Sequence, residues 1–294
     1  MLVIMHFTSR GLIFRLVSRA PFRKELRKLT FASLDRRPYH QIIRCDKDPQ
    51  YTATPEAEDL TMIYRPLFWT AYWCEDWLNS SGYRGGVSSV VISSASAKTA
   101  FCLAYLIAKR VNRGEAKQMR VLGLTSRRNM GFTQGLGLYD EVIEYGEIGG
   151  YFGSKCAEEK WLYIDVAGNE ELNAEVESYL GQRLKAVVQL GVTTHSPRSP
   201  ATSKIKDLGK ENFFMPEWLD VRRSQLPVQE IIQRQNKAWA EMMQDCKLWI
   251  ELERVHGADK VMLAYERVIR EGFTPTVGHV WSMWDDPAAV RARL

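Results

Sequence analysis

The feature that most constrains the fold is residues 88–111, SSVVISSASAKTAFCLAYLIAKRV. A β-branched run at 90–92 leads into small residues and then into apolar side chains at helical spacing, which predicts strand, tight turn and helix. Small side chains let a backbone approach a ligand, and the start of a helix favours a phosphate there. We therefore predict a dinucleotide site at this turn, formed by Ser94, Ala95, Ser96, Ala97, Lys98 and Thr99.

The turn differs from the usual fingerprint, because Ser94, Ala97 and Ala100 stand where spaced glycines are expected. A P-loop is disfavoured, since Ile92 and Ala97 occupy its two glycine positions. Tyr105 and Lys109 also form the Y-x-x-x-K pair of short-chain dehydrogenases. That pair should lie more than a hundred residues further along the chain, so we interpret it as a coincidence.

A second buried strand is predicted at 119–124. In a nucleotide-binding sheet, an acid after this strand holds the ribose of NAD, whereas arginine and hydroxyl groups accommodate the 2′-phosphate of NADP. No acid occurs between Glu115 and Asp140. The segment therefore favours NADP, with a solvated basic loop as the alternative, and its predicted contact residues are Thr125, Ser126, Arg127, Arg128 and Asn129.

Strands and helices continue to alternate over the next residues, which predicts an α/β fold with a parallel sheet and helices on both faces. A strand at 161–166 is followed by a helix at 170–184 and by another strand at 185–190. Ligands bind at the carboxyl ends of such strands. Ala167, Gly168 and Gly191 are therefore further candidate cofactor contacts.

The flanking regions are less regular. Residues 60–78 carry an aromatic stripe that is typical of a core helix, with Pro66 at its start, and Gly82, Gly85 and Gly86 predict a turn into the central strand. Residues 194–212 have the composition of an exposed loop. Helices are predicted at 228–256 and 259–270, followed by a last strand at 278–283.

Charge and cysteine content exclude several classes of protein. The net charge of +5 comes from residues 1–28, which hold seven basic residues and one acid, while the remainder carries 33 basic and 34 acidic residues. A neutral body argues against a nucleic-acid partner. Five scattered cysteines indicate reduced thiols and no metal site, and no apolar run is long enough to insert stably in a membrane.

Several segments together resemble a known family. They are Thr70-Ala71-Tyr72, VVISSASAKTA, LGLTS, LGLYDEVIEY and YIDVAGN, and in this order they are similar to the nucleotide-binding half of medium-chain dehydrogenase/reductases, the quinone-oxidoreductase-like members above all. The resemblance covers residues 63–193. It implies a Rossmann domain, NADPH as cofactor and a GroES-like catalytic domain. The cysteine and G-H-E pattern of zinc-dependent members is missing, and the region before the nucleotide domain is about half the family's length.

These observations predict four regions: a basic leader at 1–28, a shortened catalytic-domain remnant with the aromatic helix at 29–79, a Rossmann domain at 80–225, and C-terminal helices with a return strand at 226–294. The resemblance implies a zinc-independent NADPH-dependent oxidoreductase that transfers hydride to an activated C=C or carbonyl of a small molecule. The alternative is a degenerate reductase fold that binds a nucleotide or a partner without catalysis. The sequence identifies no catalytic residue.

We expect a cytoplasmic protein, or a mitochondrial one if residues 1–28 act as a presequence. The sequence leaves open whether the chain forms a homodimer.

Overall fold

The computed structural model describes residues 2–6, 13–17, 45–153, 159–190 and 210–285. The strands are β1 (Leu2–His6), β2 (Ile13–Val17), β3 (Ser89–Ile92), β4 (Arg120–Thr125), β5 (Glu141–Glu144), β6 (Trp161–Asp165), β7 (Leu184–Leu190), β8 (Lys210–Phe213), β9 (Glu251–His256) and β10 (Val277–Ser282). The helices are α1 (Pro55–Ser80), α2 (Gly82–Gly86), α3 (Lys98–Asn112), α4 (Met130–Gly135), α5 (Ile148–Gly153), α6 (Glu170–Leu180), α7 (Met215–Gln225), α8 (Val228–Asp245) and α9 (Ala258–Glu271).

A six-stranded sheet in the order β5-β4-β3-β6-β7-β8 forms the centre of the fold, and all of its pairs are parallel. In chain order this is 3-2-1-4-5-6, the order of a Rossmann sheet. Every residue of β3 and β6 is buried, because helices cover both faces. The predicted α/β fold with a Rossmann-type parallel sheet is confirmed.

The contacts divide the chain into two compact units, Met1–Arg65 with Leu226–Leu294, and Pro66–Gln225. The second unit contains the six-stranded sheet. The first contains a four-stranded sheet in the order β1-β2-β10-β9. In the first unit, Gly278 of β10 lets Ile63 and Ile250 pack closely, since a β-carbon there would lie 2.6 Å from Ile63 Cδ1.

Helix α1 begins earlier than the sequence suggests. The prediction that Pro66 opens the helix is wrong, because α1 starts at Pro55 and contains Pro66 inside it. The acidic residues Glu56 and Glu58 lie in its first turn, where they complement the helix dipole. Tertiary packing then outweighs the hydrogen bond that Pro66 removes, since Tyr64 and Phe68 on either side are fully buried.

The short segment α2, which connects α1 to β3, has a left-handed backbone and is a turn more than a regular helix. The predicted glycine turn is present, and positive φ extends through Tyr83 (50°) and Arg84 (55°) between the glycines. Non-glycine residues in this conformation are strained by about 1–2 kcal/mol each. Side-chain bonds oppose this strain: the Tyr83 hydroxyl donates to buried Glu75, and Arg84 donates to both carboxylate oxygens of Glu211 at 2.6 and 2.8 Å.

The C-terminal region differs from prediction in two places. The segment expected to be loop at 194–212 includes strand β8 from Lys210, while residues 191–209 lie outside the described part. The helix predicted at 228–256 ends at Asp245, and Glu251–His256 is a strand paired in parallel with β10. The apolar spacing that continues through Trp249 and Ile250 belongs to a 3-10 turn and the following residues, so periodicity alone misplaced the boundary.

No helix in the described ranges is both long and apolar enough to span a bilayer. The leader at 1–28 lies largely outside the described residues, apart from the backbone of β1 and β2.

Candidate functional site

The predicted contact residues meet at the carboxyl edge of the six-stranded sheet. Strand β3 pairs with β4 on one side and with β6 on the other, so the turn at 93–97, Thr125 and Gly168 follow three neighbouring strands. The strand order reverses at β3, and doubly wound sheets bind ligands in the crevice at that point. Gly191, also predicted as a contact, lies outside the described residues.

The turn after β3 is held on one side by two tyrosines and by β4. Ser94 has a positive φ of 50°, and its N–H donates to the Tyr145 hydroxyl at 3.1 Å. The Tyr139 hydroxyl donates to the Ala95 carbonyl at 2.9 Å, and the Ala95 N–H donates to the Leu124 carbonyl at 2.9 Å. Burial raises the pKa of Tyr139 well above its usual value, so this hydroxyl remains a donor. The backbone is therefore fixed without glycine.

A glycine in the neighbouring strand makes this anchoring sterically feasible. A β-carbon on Gly123 would lie 2.7 Å from the Ala95 β-carbon and 3.0 Å from the Tyr139 ring. These separations are too short for a side chain to be accommodated without movement. The glycine that allows a close approach between strand and turn is therefore in β4. The usual fingerprint places such a glycine in the turn after β3 itself.

On the other side, a buried polar network ties the turn to β6. The Ser93 hydroxyl accepts from the N–H groups of Val166 and Ala167 at 2.9 and 3.0 Å, and it donates to Asp165 at 3.3 Å. Asp165 also accepts from the Gly168 N–H at 2.8 Å and from the Asn173 amide at 2.7 Å. The N–H groups of Ala167 and Gly168 are thus already bonded within the protein.

The N-terminal turn of α3 carries positive charge that no side chain of the described residues neutralises. Its N-cap, Ala97, provides no side-chain acceptor for the first turn. Lys98 is partly buried, and within the described residues it forms no ion pair. Burial lowers the pKa of Lys98 from its ordinary value, because the ammonium group loses hydration and the neighbouring Cys102 offsets this loss only in part. An anion bound here would reverse that loss.

The segment after β4 places cations at the same edge. Arg127 and Arg128 lie in a 3-10 turn and are exposed, while Ser126 precedes them as its N-cap. Thr125 is buried at the end of β4, and its hydroxyl has no hydrogen-bond partner within the described residues. The Asn129 amide donates to the Ser96 hydroxyl at 3.0 Å, which joins this segment to the turn after β3. Ser96, Asn129 and Thr125 therefore lie near one another.

The two residues of the Y-x-x-x-K pair lie on α3, one helical turn apart. Tyr105 is buried, and the Lys109 ammonium lies 5.2 Å from the centre of its ring. This distance is within the range of a cation–π contact. The geometry agrees with the interpretation that the motif is a coincidence.

Sequence reasoning missed the residues that shape the turn. The sequence assigned no role to Ser93 or Asp165, and Tyr139 and Tyr145 entered only as parts of the motif LGLYDEVIEY. Ser93 and Tyr145 had a signal, a hydroxyl side chain directly after a strand. Asp165 was an acid at the end of a buried strand, whereas Tyr139 precedes β5 and had no such signal. Such a side chain at the edge of a parallel sheet must find a partner on a neighbouring strand.

Comparisons with known proteins give one family match. The family model described as "Protein of unknown function (DUF2855)" matches residues 18–274. No curated protein matches the sequence at a significant level.

Solved structures that are similar to this chain include three with a bound cofactor. Bacillus subtilis protein yhfP with NAD bound has 18% identity and a TM-score of 0.45, covering 75% of this chain and 62% of that one. Escherichia coli K-12 YhdH with bound NADPH has 15% identity and a TM-score of 0.44, covering 76% and 63%. CurA from Vibrio vulnificus in complex with NADPH has 12% identity and a TM-score of 0.48, covering 81% and 68%.

The chain thus spans less than two thirds of the length of the first two of these structures. At such identities and TM-scores, the similarity does not indicate a shared activity.

Proposed function

Since the chain belongs to the family described as "Protein of unknown function (DUF2855)", whose description assigns no activity, we propose a function from the site itself: binding of NADPH at the carboxyl edge of the six-stranded sheet. The observation that carries this proposal is the start of α3, which has no side-chain cap and a partly buried Lys98 with no ion-pair partner among the described residues, at the point where the strand order reverses. In doubly wound sheets that bind a dinucleotide, the pyrophosphate lies at this position.

The donor set suits a pyrophosphate. The first-turn N–H groups of α3, including those of Lys98 and Thr99, have no capping side chain, and the Lys98 ammonium adds a point charge beside them. Ser94, Ala95, Ser96 and Ala97 present small side chains, so they leave room for a ligand to approach the backbone. Ala167, Gly168 and Gly191 remain proposed contacts at the ends of the neighbouring strands.

The segment after β4 suits a 2′-phosphate. Arg127 is exposed and has no ion-pair partner within the described part of the chain, and Ser126 precedes it. The Thr125 hydroxyl is buried and without a hydrogen-bond partner there, so it can bond to a ribose or phosphate oxygen. Charge-assisted bonds of this kind contribute roughly 1.5–3 kcal/mol each. Arg128 and Asn129 complete the proposed set.

The proposed reaction is reduction of an activated C=C or carbonyl, of the quinone or enone type, without zinc. NADPH supplies the hydride when it is bound, and this chain's residues bind it, orient it and exclude water. The four described cysteines are free thiols, in keeping with a proposed cytoplasmic location. The competing function is nucleotide binding without catalysis.

The test of cofactor preference is isothermal titration of NADPH and NADH at low salt. We expect NADPH to bind at least about tenfold more tightly, a difference of about 1.4 kcal/mol. Combined Arg127→Ala and Arg128→Ala should remove most of this preference and leave NADH binding nearly unchanged, because only the phosphate contact is lost. Equal affinities in the unmutated protein would contradict the proposal.

A matched control is the pair Lys117→Ala and Lys160→Ala. Both lysines are exposed and precede β4 and β6 at the amino edge of the same sheet, so the net charge changes equally and the site is untouched. This control should retain the preference. If it loses the preference as well, the effect is due to overall charge and not to the arginines.

Turnover separates the two candidate functions. NADPH oxidation measured over a panel of quinones and enones should show activity with at least one substrate if the protein is a reductase. Tight NADPH binding with no oxidation across the panel would favour the binding-only alternative.

A further inference from the structure

The first unit contains a cavity of about 290 Å³ that is lined by α1, by β9 and by the turn that precedes β9. This volume is near the lower limit of cavities that bind small molecules. All of its lining residues belong to the first unit, so the cavity shares no residue with the proposed nucleotide site in the second unit. The lining residues are Glu56, Leu60, Lys247, Ile250, Leu252 and Arg254.

One part of the cavity wall is aliphatic and firmly packed. Leu60 and Ile250 are only 1 and 8% exposed, and Leu252 is half-buried. A β-carbon on Gly278 would lie 2.8 Å from Ile250 Cδ1 and 3.3 Å from a methyl group of Leu252, so β10 packs tightly against these two side chains. An aliphatic wall that packing holds in place can bury the apolar part of a small ligand.

The other part of the wall carries two cations with spare hydrogen-bond donors. Arg254 donates through Nε to buried Asp59, and within the described residues neither terminal nitrogen of Arg254 forms a hydrogen bond. The Lys247 ammonium donates to Glu56 at 3.1 Å. The Arg254 and Lys247 side chains are 41 and 49% exposed, so a ligand can reach both. The bond to Asp59 thus fixes the guanidinium group and leaves its terminal donors for a ligand.

We propose that this cavity binds a small monocarboxylate with an apolar tail. The carboxylate accepts from the terminal nitrogens of Arg254, because a guanidinium group presents paired donors that match the two oxygens of a carboxylate. The tail lies on the aliphatic wall. Glu56 and Asp59 balance the two cations, so a dianion such as a phosphate ester is repelled more strongly than a monoanion.

A ligand series tests this proposal on the unmutated full chain, by isothermal titration calorimetry at low salt. Hexanoate should bind. Acetate should bind at least about tenfold more weakly because it lacks the tail, and 1-hexanol should bind at least about tenfold more weakly because it lacks the charge. No binding of hexanoate at millimolar concentration would overturn the proposal, and so would equal affinities for hexanoate and 1-hexanol.

Variants test the location of the site. Arg254→Gln should weaken hexanoate binding at least about tenfold, because the paired donors are lost. The matched control is Arg267→Gln, since Arg267 is 43% exposed and pairs with Glu253 of the same strand but does not line the cavity. This control should bind hexanoate like the unmutated chain. An equal loss in both variants would overturn the proposal, because the effect would then follow overall charge.

A second variant covers the case in which Arg254→Gln does not fold because Asp59 is left buried and unpaired. Lys247 pairs with Glu56 near the surface, so Lys247→Glu leaves no buried charge without a partner. It should weaken hexanoate binding severalfold, because two adjacent acids repel a carboxylate. Circular dichroism checks that each variant is folded. Unchanged hexanoate affinity in folded Arg254→Gln, or in Lys247→Glu, would overturn the proposal.

Discussion

At the scale of single residues, hydroxyl groups take over a task that glycines perform in the usual dinucleotide fingerprint. The Ser93 hydroxyl bonds two N–H groups of the strand end at β6, and the Tyr145 hydroxyl accepts the N–H of Ser94, which has positive φ. Because these bonds hold the backbone in place, the turn keeps its shape with Ser and Ala side chains. The turn is therefore formed without the glycines of that fingerprint.

Ser93→Ala tests this account. The change leaves the N–H groups of Val166 and Ala167 without their acceptor, so we expect the free energy of unfolding to fall by about 1–3 kcal/mol in urea titrations. The control is Ser88→Ala, since Ser88 is exposed and its hydroxyl donates to the Lys160 carbonyl at 3.3 Å. Its effect should stay within about 0.5 kcal/mol. Similar losses in both variants would contradict the role of Ser93.

Asp48 gives a prediction about pH. Burial alone would raise the pKa of this carboxyl, but the Arg65 guanidinium and the Gln50 N–H outweigh it and hold the pKa below its ordinary 3.8. A lowered pKa means that the stabilisation is complete above the unfolded-state value and is lost as the pH falls through the folded-state value. The contribution should therefore be present at neutral pH and absent in strong acid.

Asp48→Asn should lower the free energy of unfolding by about 1–3 kcal/mol near neutral pH, and its difference from the unmutated protein should shrink below about pH 4. Urea titrations at several pH values measure this. Asp220→Asn is the control, because the pair that Asp220 forms with Arg223 is exposed to solvent. A difference for Asp48→Asn that does not change with pH would contradict the ion-pair explanation.

At the scale of secondary-structure elements, local signals located the strands of the main sheet well and the helix boundaries poorly. The continuously buried residues of β3 and β6 have one compatible environment, a central parallel strand. Helix α1 begins eleven residues before Pro66, and α8 stops before the apolar pattern does. Packing against neighbouring elements decides where α1 begins and where α8 ends, and local propensity is too weak to do so.

Gly123→Ala tests how β4 supports the turn after β3. The added methyl group meets Ala95 and Tyr139 at 2.7–3.0 Å, so we expect about 1–3 kcal/mol of lost stability and weaker NADPH binding. Gly131→Ala in α4 is the control, because nothing lies within 4 Å of its β-carbon position. Chemical denaturation and cofactor titration of both variants provide the readout. Unchanged NADPH affinity in folded Gly123→Ala would contradict the link between strand and turn.

At the scale of the whole molecule, the chain forms two units, and the first is assembled from both ends of the sequence. Composition could not reveal this arrangement, because the segments involved are far apart along the chain and meet only through tertiary packing. The medium-chain reductase resemblance predicted a shortened catalytic portion around a nucleotide domain. The activity that this resemblance implies remains a proposal.

Cofactor binding should stabilise the folded chain as a whole. NADPH at about 100 times its dissociation constant should raise the free energy of unfolding by about 2.7 kcal/mol, because the ligand binds only the folded state. NADH at the same concentration should give a smaller effect, by about 1.4 kcal/mol for a tenfold weaker affinity. Thermal denaturation with each cofactor measures the difference. No shift with either cofactor would contradict nucleotide binding.

The sequence by itself determined the parallel sheet, its strand–turn–helix centre and the cations after β4, because these follow from short patterns of apolar, small and charged residues. Only the tertiary structure decided how the turn is held. Ser93 meets the end of β6 more than seventy residues away, and Gly123 makes room for Ala95 and Tyr139. Hydrogen bonds and steric contacts between distant residues depend on which strands become neighbours, and that order is set by packing of the complete sheet.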